Sequence, residues 1–203
     1  KNRLKKLHPK AYLDLSATAK GFGVDRVSEF LYSQGLANHL VEVGGEVRTR
    51  GSKLRSPWKV GIETPGEKLE RRISEKIIEL RGQSLATSGT YRNYFRQGKK
   101  TYQHTIDSKS GKPVRNRILS VSVIHDDSCM KADGHATALM ALGLDKGMTV
   151  AERENLAAYF IALPKNEASL EKNEEASSSS GQKPGSFVKV STSAFKAQFE
   201  VDL

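Results

Sequence analysis

The spacing of apolar residues alternates along the chain between the period of a helix and the period of a strand. Apolar residues three to four apart lie on one face of a helix, whereas strict alternation is typical of a half-buried strand. The helical spacing predicts a helix carrying Val24, Val27 and Leu31 that stops at Gly35, a buried helix over 131–143 that stops at Gly143, and a short amphipathic helix around 146–155. Glycine is common just beyond the last helical residue, which supports the first two ends.

Two-residue alternation predicts strands in much of the remaining chain. LSVSVIH (119–125) places Leu119, Val121 and Val123 on one side, so this strand should bury one face. Further strands are predicted at 40–43, 58–63, 77–80, 84–89, 157–163 and 187–201, with a tight turn at EVRTRG (46–51) and a hairpin over 91–104 that has Gly98 near its tip. Strands and helices mixed without regular βαβ alternation favour an α+β fold.

One long segment lacks the residues needed to build a core. Residues 165–186 are polar and rich in Ser, so they cannot offset their ordering entropy by burial. The expected organisation is therefore a core over 1–164, a flexible loop over 165–186, and a C-terminal strand over 187–203 that returns to the core.

Composition narrows the class of protein only partly. The 203 residues carry a net charge of +10, which suits a polyanionic partner such as a nucleic acid, an anionic membrane surface or a dinucleotide. No apolar run approaches the ~20 residues that span a bilayer. The single cysteine, Cys129, cannot form an internal disulfide. The opening KNRLKKLHPK has neither an initiator Met nor an apolar signal region, so we expect a fragment or a processed product.

Four short segments combine small residues with groups that bind cations or phosphates. They are DLSATAKGFGVD (14–25), VGGEVRTRG (43–51), ATSGTYRNYF with HTIDSKSGKP (86–95 and 104–113), and ADGHATALMALG (132–143). Neither a strand followed by G-x-G-x-x-G nor a P-loop motif is present in the sequence. A flavin or nucleotide site would therefore be of another type.

Asp133 and Thr137 are the strongest candidates for metal ligands. They are four residues apart, so on a helix they share a face, and hard oxygen ligands suit Mg²⁺ better than Zn²⁺. An acid in the first turn of a helix also stabilises the helix dipole, and this alternative stays open.

Two other stretches of the chain suggest chemistry on a phosphate. His104 is a candidate base because its ordinary pKa lies near neutrality, and Asp107 could orient it or replace it. Thr87, Ser88 and Gly89 could offer hydroxyls and amides to phosphates, or could simply end a strand.

The order and spacing of the four segments, from about residue 12 to residue 163, resemble the ApbE family of FAD:protein FMN transferases. The resemblance implies a single α+β domain with a mixed or antiparallel sheet and packed helices, and a family N-terminal third that is absent from this sequence. It implies Mg²⁺-dependent transfer of FMN from FAD to a Ser or Thr hydroxyl of an acceptor flavoprotein, with release of AMP. The family roles then fall on these residues: Asp14, Lys20 and Ile106 contact FAD; the Ala17 carbonyl, Asp133 and Thr137 bind Mg²⁺ with Ala136 beside them; His104 acts as base; and Thr87, Ser88 and Gly89 lie near the nucleotide.

The resemblance also implies partners and a location. The acceptor would be a subunit of a membrane redox complex, and the enzyme would be periplasmic and lipid-anchored through the absent segment. Alternatives are an Mg²⁺-dependent FAD pyrophosphatase that gives FMN and AMP, and a non-catalytic flavin-binding protein. We do not expect nucleic acid as a partner, because the sequence has no zinc-ligand spacing and no recognisable nucleic-acid-binding motif.

Overall fold

A computed structural model of the chain describes residues 3–65, 72–89, 94–97, 100–103, 106, 110–114, 116–165 and 187–200. The helices are α1 (Ser16–Ser33), α2 (Cys129–Leu142), α3 (Leu144–Arg153) and α4 (Ser193–Phe199). The strands are β1 (His39–Val43), β2 (Glu46–Arg50), β3 (Trp58–Pro65), β4 (Arg72–Leu80), β5 (Ser84–Gly89), β6 (Tyr94–Gln97), β7 (Lys100–Gln103), β8 (Ile118–His125), β9 (Ala157–Ala162) and β10 (Val188–Ser191). The predicted helix stops are confirmed, since Gly35 and Gly143 follow their helices with φ of +82° and +78°.

Six strands form one antiparallel sheet in the order β1-β2-β5-β8-β9-β10. The hairpin of β1 and β2 turns through Gly44 and Gly45, whose φ angles of +62° and +101° favour glycine. The prediction of a tight turn at 46–51 is therefore wrong, because the turn lies two residues earlier and residues 46–50 form strand β2. The predicted hairpin over 91–104 is confirmed by the pairing of β6 with β7.

The central sheet is covered on both faces. Helices α2 and α3 pack on one face, where Val121, Val123 and Phe160 are buried. The other face packs against the hairpin of β3 and β4 and against α4, and it buries Ile124 and Ile161. The predicted burial of Val121 and Val123 is confirmed, and the opposite face of β8 is covered as well, because the strand lies in the middle of a three-layer structure.

The C-terminal part adds a strand and then a helix. Strand β10 pairs with β9, but the predicted single strand over 187–201 is wrong beyond Ser191. Thr192 caps α4 by accepting a hydrogen bond from the Phe195 amide, 3.3 Å away. Phe195 and Phe199 are four residues apart, so they lie on the same face of the helix. Their rings pack together with centroids 5.2 Å apart.

The α+β class and the antiparallel sheet predicted above are confirmed. Helix α1 packs against α2 and against the hairpin of β1 and β2, so three of the four segments singled out in the sequence meet at one end of the sheet. Within the described ranges, no helix has the length and apolarity needed to cross a bilayer. The stretch predicted as a flexible loop lies outside the described residues from 166 onward.

Candidate active site at the contact of helices α1 and α2

Helices α1 and α2 approach each other at glycine. A Cβ atom on Gly21 would lie 2.6 Å from the carbonyl carbon of Cys129 and 2.7 Å from Cα of Met130, which are backbone atoms that cannot rotate away. Gly134 on α2 is also close to α1, because a Cβ there would lie 3.1 Å from Cγ2 of Thr18 and 4.0 Å from the carbonyl oxygen of Ala17. The small residues of segments 14–25 and 132–143 therefore permit a close helix contact.

Asp133 lies in this contact with 3% of its surface exposed. Its Oδ2 accepts a hydrogen bond of 3.0 Å from the backbone amide of Gly21. Burial raises the pKa of the Asp133 carboxyl, while the Gly21 bond and the charge of Lys20 act in the opposite direction. A buried carboxylate with a single described hydrogen-bond donor is suited to a cation.

The helix-dipole alternative for Asp133 does not hold. Helix α2 begins at Cys129, which places Asp133 in its second turn, and the first turn contains no acidic residue. The N-terminus of α2 is instead capped by the Ser128 side chain, which accepts from the Lys131 amide, and by Asp25 of α1.

Of the other predicted metal ligands, the Ala17 carbonyl lies in the α1–α2 contact, whereas Thr137 lies on α2 where this helix approaches β5. The Ala17 carbonyl faces Gly134, beside Asp133. Oγ1 of Thr137, one helical turn beyond Asp133, lies 3.1 Å from Oγ of Ser88 on β5. Ala136, between them, is fully buried. The donor set consists of a carboxylate, hydroxyls and a carbonyl, and such hard oxygens fit Mg²⁺.

Lys20 is paired with an acid that the sequence did not single out. Its Nζ lies 2.7 Å from Oε1 of Glu46, the first residue of β2. The Lys20 side chain is 48% exposed, whereas that of Glu46 is 1% exposed. Burial is the main cause that raises the pKa of Glu46, against the hydrogen bond from Lys20. The segment 43–51 did point to this hairpin, but not to its buried acid.

A second missed acid, Asp25, joins three elements. Its carboxylate accepts hydrogen bonds from the amides of Cys129 and Met130 at 2.8 and 3.0 Å, and from the Ser128 hydroxyl at 3.0 Å. Arg48 on β2 donates to it at 3.0 Å and also bonds the carbonyl oxygen of Asp127. Asp25 thereby fixes the start of α2, one turn before Asp133.

The remaining predicted residues are spread more widely. Asp14 is exposed, and a hydrogen bond from the Ser16 hydroxyl lowers its pKa. Ile106 is 51% exposed and forms an isolated bridge with Pro113. Thr87, Ser88 and Gly89 all lie within β5, where Oγ1 of Thr87 is 2.8 Å from Oγ of Ser122. The candidate bases His104 and Asp107 lie outside the described residues.

The predicted site residues that the structure describes line neither of two surface clefts and do not form a cluster of acidic, His or Cys side chains. Two clefts in the described part of the chain, one beside Trp58 and one beside Arg81, contain none of the predicted site residues. Among the described residues, no three His, Cys, Asp or Glu side chains cluster as a metal site. A Mg²⁺ site built from one carboxylate, a hydroxyl and a carbonyl does not need such a cluster. The α1–α2 contact therefore stays the candidate cation site.

Comparison with known proteins shows that the chain is similar in sequence and in fold to proteins named as flavin transferases. The chain is 47% identical over 161 residues to an FAD:protein FMN transferase of Vibrio cholerae (79% of this chain, 47% of the relative). It is 43% identical over 167 residues to one of Haemophilus influenzae (82% and 48%). The solved structure of flavin transferase ApbE from Vibrio cholerae superposes with a TM-score of 0.74 at 38% identity, covering 94% of this chain and 54% of that one.

The sequence profile of the ApbE family matches residues 1–160. The chain belongs to the ApbE family. It spans about half the length of the curated relatives it matches.

Proposed function

We propose that the protein containing this chain transfers FMN from FAD to a Ser or Thr hydroxyl of an acceptor flavoprotein in an Mg²⁺-dependent reaction that releases AMP. The observation that supports the proposal is the close approach of the Ala17 carbonyl on α1 to the turn of α2 that carries Asp133, with Thr137 one turn further along α2. The relatives named FAD:protein FMN transferase support the reaction class.

The residues at the contact fit a magnesium ion. The Asp133 carboxylate, the Thr137 hydroxyl and the Ala17 carbonyl would hold it, with Ala136 packed beside them. Bound Mg²⁺ would supply neutralisation of charge on the FAD diphosphate. Burial of Asp133 in the contact strengthens its attraction for a cation, because the interior screens charge less than water does.

The chain's own residues would position the reactants. The ammonium of Lys20, at the open side of the contact, would bind a phosphate oxygen. The acceptor hydroxyl oxygen would form a bond to the FMN-side phosphorus while the bond from that phosphorus to the AMP oxygen breaks. His104, or Asp107 in its place, would take the hydroxyl proton. Asp14, Ile106, Thr87, Ser88 and Gly89 would contribute to dinucleotide binding.

FAD hydrolysis is the nearest second function, since water could replace the acceptor hydroxyl in the same site. The two functions are separated by incubating the intact protein with FAD, Mg²⁺ and a candidate acceptor subunit of a membrane redox complex. Mass spectrometry of the acceptor should show added FMN, and the signal should be lost with Asp133→Asn. AMP and FMN without modified acceptor would favour the pyrophosphatase, and tight FAD binding with neither product would favour a flavin-binding protein.

The proposed acceptors also suggest a location. Subunits of membrane redox complexes would be reached by an extracytoplasmic enzyme held at the membrane by a lipid anchor. Fractionation of cells that express the intact protein, with and without spheroplast preparation, tests this location.

A further inference from the structure

The buried acid of the Lys20–Glu46 pair has one oxygen that the described residues leave without a hydrogen bond. Oε1 of Glu46 lies 2.7 Å from Nζ of Lys20. Oε2 is enclosed and accepts no hydrogen bond within the part of the chain that the structure describes. An enclosed polar atom without a partner destabilises the folded state, because it has lost its hydrogen bonds to water.

Stability does not explain this arrangement. The desolvation of a buried charge can exceed its attraction to a partner, and the partner here is half exposed, so that solvent screens its charge. Burial is also the largest influence on the pKa of Glu46, which it raises, so the fold disfavours the charged form. An acid kept under these conditions is better explained by what it does to Lys20.

The surroundings fix Lys20 while leaving its ammonium accessible. Its Cδ would lie 3.5 Å from a Cβ atom built on Gly44, so the glycine turn of β1 and β2 packs beside the aliphatic stem. One ammonium hydrogen points to Glu46, and an ammonium group carries three donors. Lys20 lies one residue before Gly21, whose amide binds Asp133, and its charge acts on both Glu46 and Asp133. The remaining donors are therefore held next to the predicted cation site.

We propose that Glu46 is a positioning residue that holds the Lys20 ammonium in place for a phosphate oxygen of the bound dinucleotide. The inference rests on the proposed function, and it gives Glu46, which lies in the segment 43–51, a specific role toward Lys20. Glu46 acts through Lys20, so the loss of either side chain removes the same contact with the ligand.

A double-mutant cycle tests this coupling. FAD dissociation constants are measured with saturating Mg²⁺ for the intact wild-type protein, Glu46→Gln, Lys20→Gln and the double variant. We expect each single variant to bind FAD about tenfold more weakly, the size of one hydrogen bond to a charged group. The double variant should bind like Lys20→Gln alone, because the two losses are not independent. Additive losses, or a Glu46→Gln affinity within twofold of wild type, would overturn the inference.

Melting temperatures without ligand separate positioning from a merely structural role. Glu46→Gln should melt no lower than wild type, because it removes a buried charge and leaves a lysine that solvent reaches. Lys20→Gln should melt at a lower temperature than wild type, because it leaves the buried acid unpaired. The double variant should melt near the wild-type temperature, because the buried charge is gone. A Glu46→Gln protein that melts lower and loses affinity in parallel would show a structural role instead.

The matched control is Glu42→Gln in the same hairpin. Glu42 is exposed and accepts a hydrogen bond of 3.0 Å from the Gly45 amide, which a glutamine can also accept. Its FAD affinity should equal that of wild type. Wild-type protein that does not bind FAD would overturn the proposed function itself, whereas binding that Glu46→Gln leaves unchanged would overturn only the role of Glu46.

Discussion

The backbone amide of Gly21 donates a hydrogen bond of 3.0 Å to Oδ2 of Asp133, although the two residues are 112 positions apart in the chain. The bond joins α1 to α2 where a side chain on Gly21 would collide with the backbone of Cys129 and Met130. The carboxylate is thus fixed by both helices, and its geometry depends on how closely they approach.

Substitution of Gly21 by Ala should therefore disturb both stability and metal binding. The new methyl group forces the helices apart, and overpacking of this kind costs about 1–3 kcal/mol. Gly23→Ala is the matched control, because a Cβ there meets nothing within 4 Å, and Ala should stabilise the same helix by about 0.5–1 kcal/mol. Urea unfolding of both variants measures the difference. Equal stabilities for the two variants would contradict the close contact.

Loss of the Asp133 charge should abolish the cation site while preserving the fold. Asparagine keeps an oxygen that can accept the Gly21 hydrogen bond, so the melting temperature of Asp133→Asn should stay near that of wild type. Calorimetric titration with Mg²⁺ should show a loss of affinity of at least about tenfold, since a hard cation loses its charged ligand. Asp145→Asn, at an exposed position in the first turn of α3, should bind Mg²⁺ like wild type.

Substitution of Asp25 should lower the stability of the protein more than substitution of an exposed acid. Asp25→Ala leaves Arg48 buried without its carboxylate and removes the acceptor of the Cys129 and Met130 amides at the start of α2, and breaking a buried pair costs about 3–5 kcal/mol. Glu29→Ala, which removes an exposed partner of Arg26 on the same helix, should cost less than about 1 kcal/mol. Denaturant unfolding gives both values, and similar costs would refute a special role for Asp25.

His135 should make stability depend on pH. Burial, with His125 and Lys131 nearby, lowers its pKa below the ordinary value of 6.5. The unfolded chain therefore binds more protons than the folded protein as the pH falls through 6.5, so the stabilising contribution is present above that pH and is lost on acidification. When the pH is lowered from 8 to 5.5, the melting temperature of His135→Gln should fall less than that of wild type. The exposed His8→Gln should behave like wild type, and an unchanged pH response of His135→Gln would contradict the assignment.

The role of His104 is tested by separating binding from chemistry. If it takes the acceptor proton, His104→Ala should lower the single-turnover rate about 10²- to 10⁴-fold and leave FAD affinity nearly unchanged. Asp107→Asn is the companion variant, since inactivity there with an active His104→Ala would assign the base to Asp107. A wild-type single-turnover rate in His104→Ala would end its candidacy.

Part of the site could be read directly from the sequence. The spacing of Asp133 and Thr137 predicts a shared helix face, and the glycines at 21, 44 and 134 indicate close backbone approach. The pairing partners could not be read in this way. Glu46 and Asp25 look like ordinary surface acids in the sequence, because nothing near them in the chain shows that they are buried.

Local periodicity and the φ angles that glycine permits were enough to predict helices α1, α2 and α3, most strands and the helix stops. Local patterns did not predict that β8 is covered on both faces, that residues 193–199 form helix α4, or that Lys20 meets Glu46. Each of these depends on contacts between segments far apart in the chain. A local pattern indicates which side of an element will be buried. The partner that covers this side is set by the packing of the whole domain.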